Sequence, residues 1–156
     1  MNEGKNSPLI DPNSFPNWII YEDEHILVLD KPGWLVCHPS KNGPWSSLVG
    51  AAKEYLGVKS IHLASRLDRE TSGVVLLAKH RGAASRWQKG IEKKTVRRSY
   101  LTILEGEMDN SRVVSAFLGK DPTSDVFVKQ RITKNSHKSQ RAETGFIPLE
   151  VRHGYT

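Results

Sequence analysis

The sequence predicts an α+β fold, with a mixed, largely antiparallel sheet and flanking helices. Three observations support this class. Apolar residues recur at helical spacing in two segments before residue 93, a continuous apolar run lies between those segments, and strand-like patterns dominate after residue 96. Helices are therefore expected early in the chain and antiparallel strands late.

The first predicted elements are two short strands, residues 18–21 and 26–29, joined by a polar turn. Residues 30–33 (Asp-Lys-Pro-Gly) break the second strand, because proline cannot donate to a ladder and glycine permits a turn. A short apolar piece follows at residues 35–37. Residues 1–17, rich in proline and serine, are expected to be a flexible lead-in.

Two helices and two strands are predicted next. Ser46 or Ser47 caps a helix that runs to Leu56, and Gly57 is a natural stop. Residues 61–64 are a short strand. Residues 74–78 form a buried strand, because the apolar run is too short for a typical helix. Residues 82–92 form the second helix.

Strands are predicted for the rest of the chain. Tyr100, Thr102 and Leu104 alternate with Leu101 and Ile103, which is the period of a strand. Further strands are expected at residues 112–118, 126–132 and 140–151.

Composition narrows the class of protein. The chain has 156 residues, enough for one domain with a core, and 37% hydrophobic and 26% charged residues are typical of a globular protein. No apolar run approaches the ~20 residues of a membrane span. We find no secretory signal, and the single cysteine excludes an internal disulfide, so we expect a cytoplasmic protein without membrane contact.

The segment with the clearest chemical character is residues 66–73. Asp68 lies between Arg66 and Arg69, and nearby cations favour an ionised carboxylate. Thr, Ser and Gly at residues 71–73 permit a sharp turn just before the buried strand. Charged loops at the end of a buried strand are common functional sites. From these residues alone, an Asp paired with an arginine in a surface turn is an equally good interpretation.

Residues 66–68 (Arg-Leu-Asp) followed by 71–73 (Thr-Ser-Gly) resemble the signature of the RluA-type RNA pseudouridine synthases. Residues 20–33 resemble the opening hairpin of that family, residues 36–39 the piece that follows, and residues 98–106 its tyrosine-bearing strand. Residues 140–144 are similar to a further family strand. Matches in this order are more specific than a lone short motif.

The resemblance implies a cofactor-free isomerisation of uridine in tRNA or rRNA, with Asp68 as the essential catalytic carboxylate. That carboxylate either attacks the sugar or abstracts a proton from it. Tyr100 matches a tyrosine that stacks on the target base, and Arg66 an arginine that holds the RNA open. Leu67 is assigned to substrate binding with them. The alternatives are an ordinary strand aromatic for Tyr100 and simple neutralisation of Asp68 by Arg66.

Basic residues provide candidates for contact with RNA. The net charge is +6, and a basic surface attracts phosphate backbones. A basic run is usually a solvated face, but in this context we predict phosphate contact. The candidates are Arg69, Lys93, Lys94, Arg97 and Arg98. The six histidines lack metal-like spacing, so no metal site is expected.

The sequence departs from the family in two places. Ser65 stands where the family usually has histidine, and the chain stops at Thr156, before a basic motif that closes the family's pocket. We therefore expect residues 18–156 to be a C-terminally truncated catalytic domain. Three interpretations remain: a fragment of a longer enzyme, a short relative that forms a homo-oligomer, or a non-catalytic RNA-binding relative.

Overall fold

The computed structural model describes residues 8–39, 41–125 and 129–156. The chain divides into two compact units, Met1–Arg98 and Ser99–Thr156. The predicted α+β class is confirmed, because each unit contains an antiparallel sheet and the first also contains two helices.

A four-stranded sheet forms the centre of the first unit. Its strands are β1 (Ile19–Glu22), β2 (Ile26–Lys31), β3 (His62–Leu63) and β4 (Gly73–Ala78), in the order β1-β2-β4-β3. Every pairing is antiparallel. Leu27 lies opposite Leu77 and Leu29 opposite Val75, so the buried side chains of β2 and β4 share one face.

Both predicted helices are present. Helix α1 spans Leu48–Leu56; the Ser47 hydroxyl accepts a hydrogen bond from the Gly50 amide at 3.1 Å, and Gly57 ends the helix in the left-handed conformation. Of the two predicted caps, Ser47 is therefore the one used. Helix α2 spans Arg81–Glu92, and His80 caps it through a bond from the Ala83 amide to Nδ1.

The hydrophobic core lies between the sheet and α1. Its largest fully buried apolar side chains are Phe15, Leu27, Leu29, Leu35, Leu48, Val75 and Leu77. Ile10 and Phe15 are core residues, although the sequence places them in a flexible lead-in. Phe15 begins a 3-10 helix (Phe15–Trp18) and packs against the rings of Trp18, Trp45 and Tyr55. Aromatic packing outweighs the loop-forming prolines in this segment.

The second unit contains a three-stranded antiparallel sheet. Its strands are β5 (Arg112–Lys120), β6 (Gln130–Thr133) and β7 (Gln140–Phe146), in the order β6-β5-β7. Residues 126–128 of the predicted strand 126–132 lie outside the described residues. Strand β7 is shorter than predicted, because Pro148 has no amide to donate and restricts the residue before it.

The strand predicted at residues 100–104 is wrong. Leu101 and Ile103 are 87% and 81% exposed, and no ladder forms along this segment. Only its end is paired: Leu104 exchanges two backbone hydrogen bonds with Thr156, and Gly106 donates to the Gly154 carbonyl. Alternation of apolar residues was present, but a strand also requires a neighbouring backbone with free donors and acceptors.

Candidate active site

The loop between β3 and β4 carries Asp68. Leu67 is half-buried and packs against the core of the first unit, whereas Arg66 and Asp68 on either side of it are exposed. Extended residues two positions apart point to the same side of a chain. The inward leucine therefore anchors the loop, and the expected contact of Leu67 with substrate remains a prediction.

The carboxylate of Asp68 is exposed, and it accepts no hydrogen bond from any of the residues that the structure describes. Within the part of the chain that the structure describes, it forms no salt bridge, either with Arg66 or with Arg69. The interpretation of Asp68 as one half of a surface ion pair is therefore not supported. Both of its oxygens keep lone pairs available for a ligand.

Three consecutive carbonyl groups of this loop accept hydrogen bonds from other groups. The Asp68 carbonyl accepts from the Thr71 amide at 3.2 Å, which closes a turn. The Leu67 carbonyl accepts from the Cys37 thiol at 3.3 Å, and the Arg69 carbonyl accepts from the Lys31 ammonium at 3.0 Å. The backbone on both sides of Asp68 is thus held by hydrogen bonds from two buried side chains.

Close packing fixes the loop at a further point. A Cβ atom added to Gly33 would lie 3.0 Å from the Glu70 carbonyl oxygen, which leaves little room for a side chain. The turn that follows β2 therefore packs directly against the turn that follows Asp68. Glycine is needed at this position for close approach of two backbones.

Lys31 has no exposed surface. Burial lowers the pKa of Lys31, and the negative charges of the nearby carboxylates of Glu70 and Asp68 act in the opposite direction. Its ammonium donates to three carbonyl oxygens: those of Pro32 at 2.9 Å, Leu35 at 2.7 Å and Arg69 at 3.0 Å. All three donors of the buried ammonium are therefore satisfied.

Sequence reasoning missed Lys31 and Cys37. It assigned Lys31 to a strand break and Cys37 to a short apolar piece. A usable signal was present, because Leu27, Leu29 and Lys31 follow one another at a spacing of two residues. This spacing places Lys31 on the core face of β2, where a charge needs nearby hydrogen-bond acceptors.

The predicted RNA-contact residues divide between the Asp68 loop and the end of α2. Arg69 lies in the loop and is exposed. Lys93 and Lys94 follow the last turn of α2, and Lys94 adopts a left-handed φ of 56° as the helix ends. Arg97 and Arg98 follow them, and all four side chains are exposed. Cations at this end of a helix complement its dipole.

Tyr100 belongs to the second unit and is 62% exposed. It is not the half-buried strand residue of the alternative interpretation, because its segment forms no strand. Its ring is available for stacking.

Neither a metal-binding cluster nor a membrane-spanning helix is found among the described residues. No group of three or more His, Cys, Asp or Glu side chains is arranged there to hold a metal ion. None of the helices there combines the length and the apolar character that a membrane span requires.

Comparison with known proteins identifies the class to which this fold and loop belong. Residues 25–150 match the family described as RNA pseudouridylate synthase, and the chain belongs to that family. The match extends across both compact units.

Three curated relatives illustrate the similarity. An uncharacterized RNA pseudouridine synthase of Mycoplasma pneumoniae is 36% identical over 90% of this chain and 45% of its own length. Ribosomal large subunit pseudouridine synthase C of Vibrio vulnificus is 34% identical, over 85% of this chain and 40% of its own length. Ribosomal large subunit pseudouridine synthase D of Nitrosomonas europaea is 32% identical, over 70% of this chain and 33% of its own length. The chain thus spans less than half the length of these relatives.

Two solved structures show the same fold. The human RNA pseudouridylate synthase domain containing 4 protein superposes with a TM-score of 0.64 at 22% identity, over 92% of this chain and 58% of that one. The human RNA pseudouridylate synthase domain containing 1 protein superposes with a TM-score of 0.65 at 20% identity, over 96% of this chain and 56% of that one.

Proposed function

We propose that this chain isomerises uridine in RNA to pseudouridine, with Asp68 as the catalytic carboxylate. The observation that carries the proposal is the exposed Asp68 carboxylate, on a loop that is held through three consecutive carbonyls. Catalysis needs a reacting group held in place while its own oxygens stay free. Membership in the RNA pseudouridylate synthase family supports the assignment.

The reaction conserves all atoms. The bond from N1 of uracil to C1′ of ribose breaks, the base turns, and a bond from C5 to C1′ forms. The hydrogen on C5 leaves as a proton and N1 gains one, so no oxidant, reductant or group donor is required. Asp68 serves by attack on the sugar or by removal of a proton from it, and both roles require an accessible anionic oxygen.

The other proposed roles follow from exposure and chemistry. A uridine must leave its stack before a side chain can reach its sugar, and the planar guanidinium of Arg66 is suited to fill the vacated space. The exposed ring of Tyr100 is suited to stack on the extruded base. Phosphate groups of the RNA are contacted by the five exposed basic residues Arg69, Lys93, Lys94, Arg97 and Arg98. The family match over residues 25–150 supports the proposal that residues 18–156 belong to one catalytic domain, and the core residues Ile10 and Phe15 extend its first unit towards the N-terminus.

We propose large-subunit ribosomal RNA as the substrate, because two of the relatives bear that substrate in their names. Such a substrate is consistent with the cytoplasmic location that the sequence predicts. Transfer RNA is the contrasting substrate for the test.

Pseudouridine formation in unmodified large-subunit rRNA and tRNA transcripts tests the proposal. The wild-type chain is compared with Asp68→Asn and with Asp109→Asn, which removes the same charge from another exposed site. We expect product in rRNA from the wild type and from Asp109→Asn, and none from Asp68→Asn, with RNA affinity nearly unchanged. Turnover by Asp68→Asn would remove Asp68 from its role. Product only in tRNA would overturn the proposed substrate, and no product from folded, RNA-bound wild-type chain would contradict the activity.

A further inference from the structure

We infer that Lys31 and Cys37 are positioning residues for Asp68, which hold the peptide groups on either side of it through the Arg69 and Leu67 carbonyls. The inference rests on the proposed function, since it assigns a purpose to the position of Asp68. It concerns two buried side chains that are distant from Asp68 in sequence.

Burial of the Lys31 ammonium removes its charge from water, and three backbone carbonyls offset that cost. A buried ammonium is destabilising unless every donor finds an acceptor. Two of its three acceptors, the Pro32 and Leu35 carbonyls, belong to the turn that follows its own strand. The third belongs to Arg69, 38 residues away in sequence. Lys31 thus connects the end of β2 to the loop that carries Asp68.

Cys37 makes the matching contact on the other side of Asp68. Its thiol is buried and donates to the Leu67 carbonyl at 3.3 Å. Its own carbonyl accepts from the Val49 amide of α1 at 3.0 Å, and the Val36 carbonyl accepts from the Leu48 amide at 2.9 Å. The first turn of a helix leaves such amides without partners inside the helix. Helix α1 therefore fixes the segment from which the Cys37 thiol reaches the loop.

These contacts act together with the turn at Asp68. The Leu67, Asp68 and Arg69 carbonyls receive the Cys37 thiol, the Thr71 amide and the Lys31 ammonium respectively. With three successive peptide groups held, the Cα–Cβ bond of Asp68 has a fixed direction. The carboxylate then keeps only its own side-chain torsions. Contacts of this kind affect the reaction step more than the binding of RNA, because Lys31 and Cys37 are themselves buried and cannot touch RNA.

Cys37→Ala and Cys37→Ser form the first test, with turnover measured on the RNA that the wild type modifies. A thiol–carbonyl bond is weak, so we expect kcat to fall about 2–5-fold in Cys37→Ala with KM unchanged. Cys37→Ser restores a donor and should recover most of the loss. Lys31→Met is the stronger variant, with kcat reduced about 100-fold at unchanged RNA affinity. Lys53→Met is the control, because among the described residues the Lys53 ammonium, unlike that of Lys31, makes no hydrogen bond to the loop.

Amide hydrogen exchange supplies a readout that does not require activity. We expect the Thr71 amide, whose acceptor is the Asp68 carbonyl, to exchange faster in Cys37→Ala and Lys31→Met, with α2 unchanged. Unchanged exchange at Thr71 would overturn the inference even if the wild type is active. If the wild type makes no pseudouridine, the proposed function fails, and exchange at Thr71 still decides whether the two side chains hold the loop. If Lys31→Met does not fold, the Cys37 pair decides alone. If the folded Lys31 and Cys37 variants keep the wild-type kcat, or change only in KM, the positioning role of these two residues is also overturned.

Discussion

Gly50→Ala places a methyl group against the backbone of the Pro44–Ser46 turn that precedes α1. Gly50 lies in the first turn of α1, where its amide donates to Ser47. A Cβ atom on Gly50 would lie 2.1 Å from the Pro44 carbonyl oxygen and 2.8 Å from the Pro44 carbonyl carbon. Ordinary contact begins at 3.4 Å, so the Pro44–Ser46 turn must move by about 1.3 Å.

The magnitude follows from what this movement disturbs. Overpacking against backbone costs about 1–3 kcal/mol, and the upper end applies here because no side chain can rotate away. The hydrogen bond from the Ile10 amide to the Trp45 carbonyl, 2.8 Å long, is strained as well, at about 1 kcal/mol. The better helix propensity of alanine returns about 1 kcal/mol. The net destabilisation is about 2–3 kcal/mol, or roughly 10–20 °C in Tm for a unit of this size.

Tryptophan fluorescence during thermal and urea unfolding measures the effect. All four tryptophans, Trp18, Trp34, Trp45 and Trp87, lie in the first unit. Gly90→Ala in α2 is the matched control, because its Cβ would meet only side-chain atoms, those of Val96 at 3.0 Å and Thr95 at 3.4 Å. That control should change stability by no more than about 1 kcal/mol. Equal stability of the two variants would refute the reasoning.

Three further perturbations test the account. Tyr100→Phe should keep KM near the wild-type value because the ring is retained, whereas Tyr100→Ala should raise KM about tenfold or more, because a stacking partner contributes about 1–3 kcal/mol per base. Replacing Lys93 and Lys94 by Gln should reduce the slope of log affinity against log salt by about 0.7 for each lost phosphate contact to single-stranded RNA. Asp23→Asn should lower Tm at neutral pH, and this effect should disappear as the pH falls below 3.8. Hydrogen bonds from the Ile26 and His25 amides lower the pKa of Asp23, so they stabilise the fold only while Asp23 is ionised.

Each of these has its own control and contrary result. Wild-type kinetics in both Tyr100 variants would exclude a contact with the base. Lys59→Gln, at an exposed lysine outside the predicted set, should leave the salt slope unchanged, and an equal fall there would show a diffuse charge effect. An Asp23→Asn deficit in Tm that persists at pH 2 would mean that the hydrogen-bonded shape, and not the charge, of Asp23 stabilises the turn between β1 and β2.

Local signals explain which elements could be predicted. Helix α1 begins and ends where its cap at Ser47 and its stop at Gly57 indicate, because both act through contacts within a few residues. The strand predicted at residues 100–104 failed because a ladder depends on a distant partner that alternation does not reveal. The packing of Ile10 and Phe15 escaped prediction for the same reason, since their neighbours in the core are remote in sequence.

The candidate site likewise has a part that the local sequence predicts and a part that depends on distant contacts. The sequence predicted Asp68 in a charged loop directly before a buried strand, and Asp68 lies in the loop that precedes β4. The support beneath it depends on contacts that span 38 residues from Lys31 and 30 from Cys37. Only the position of Lys31 on the buried face of β2 was readable from the sequence, and its acceptor in the Asp68 loop was not.

The central claim is that Asp68 drives the exchange of a carbon–nitrogen for a carbon–carbon bond at the ribose. RNA with tritium at C5 of uridine tests it directly, because a new bond at C5 must expel the hydrogen that C5 carries. We expect tritium release equal to the pseudouridine formed, from the wild type and Asp109→Asn and not from Asp68→Asn. Release that continues in Asp68→Asn, or none from folded wild-type chain bound to its RNA, would contradict it.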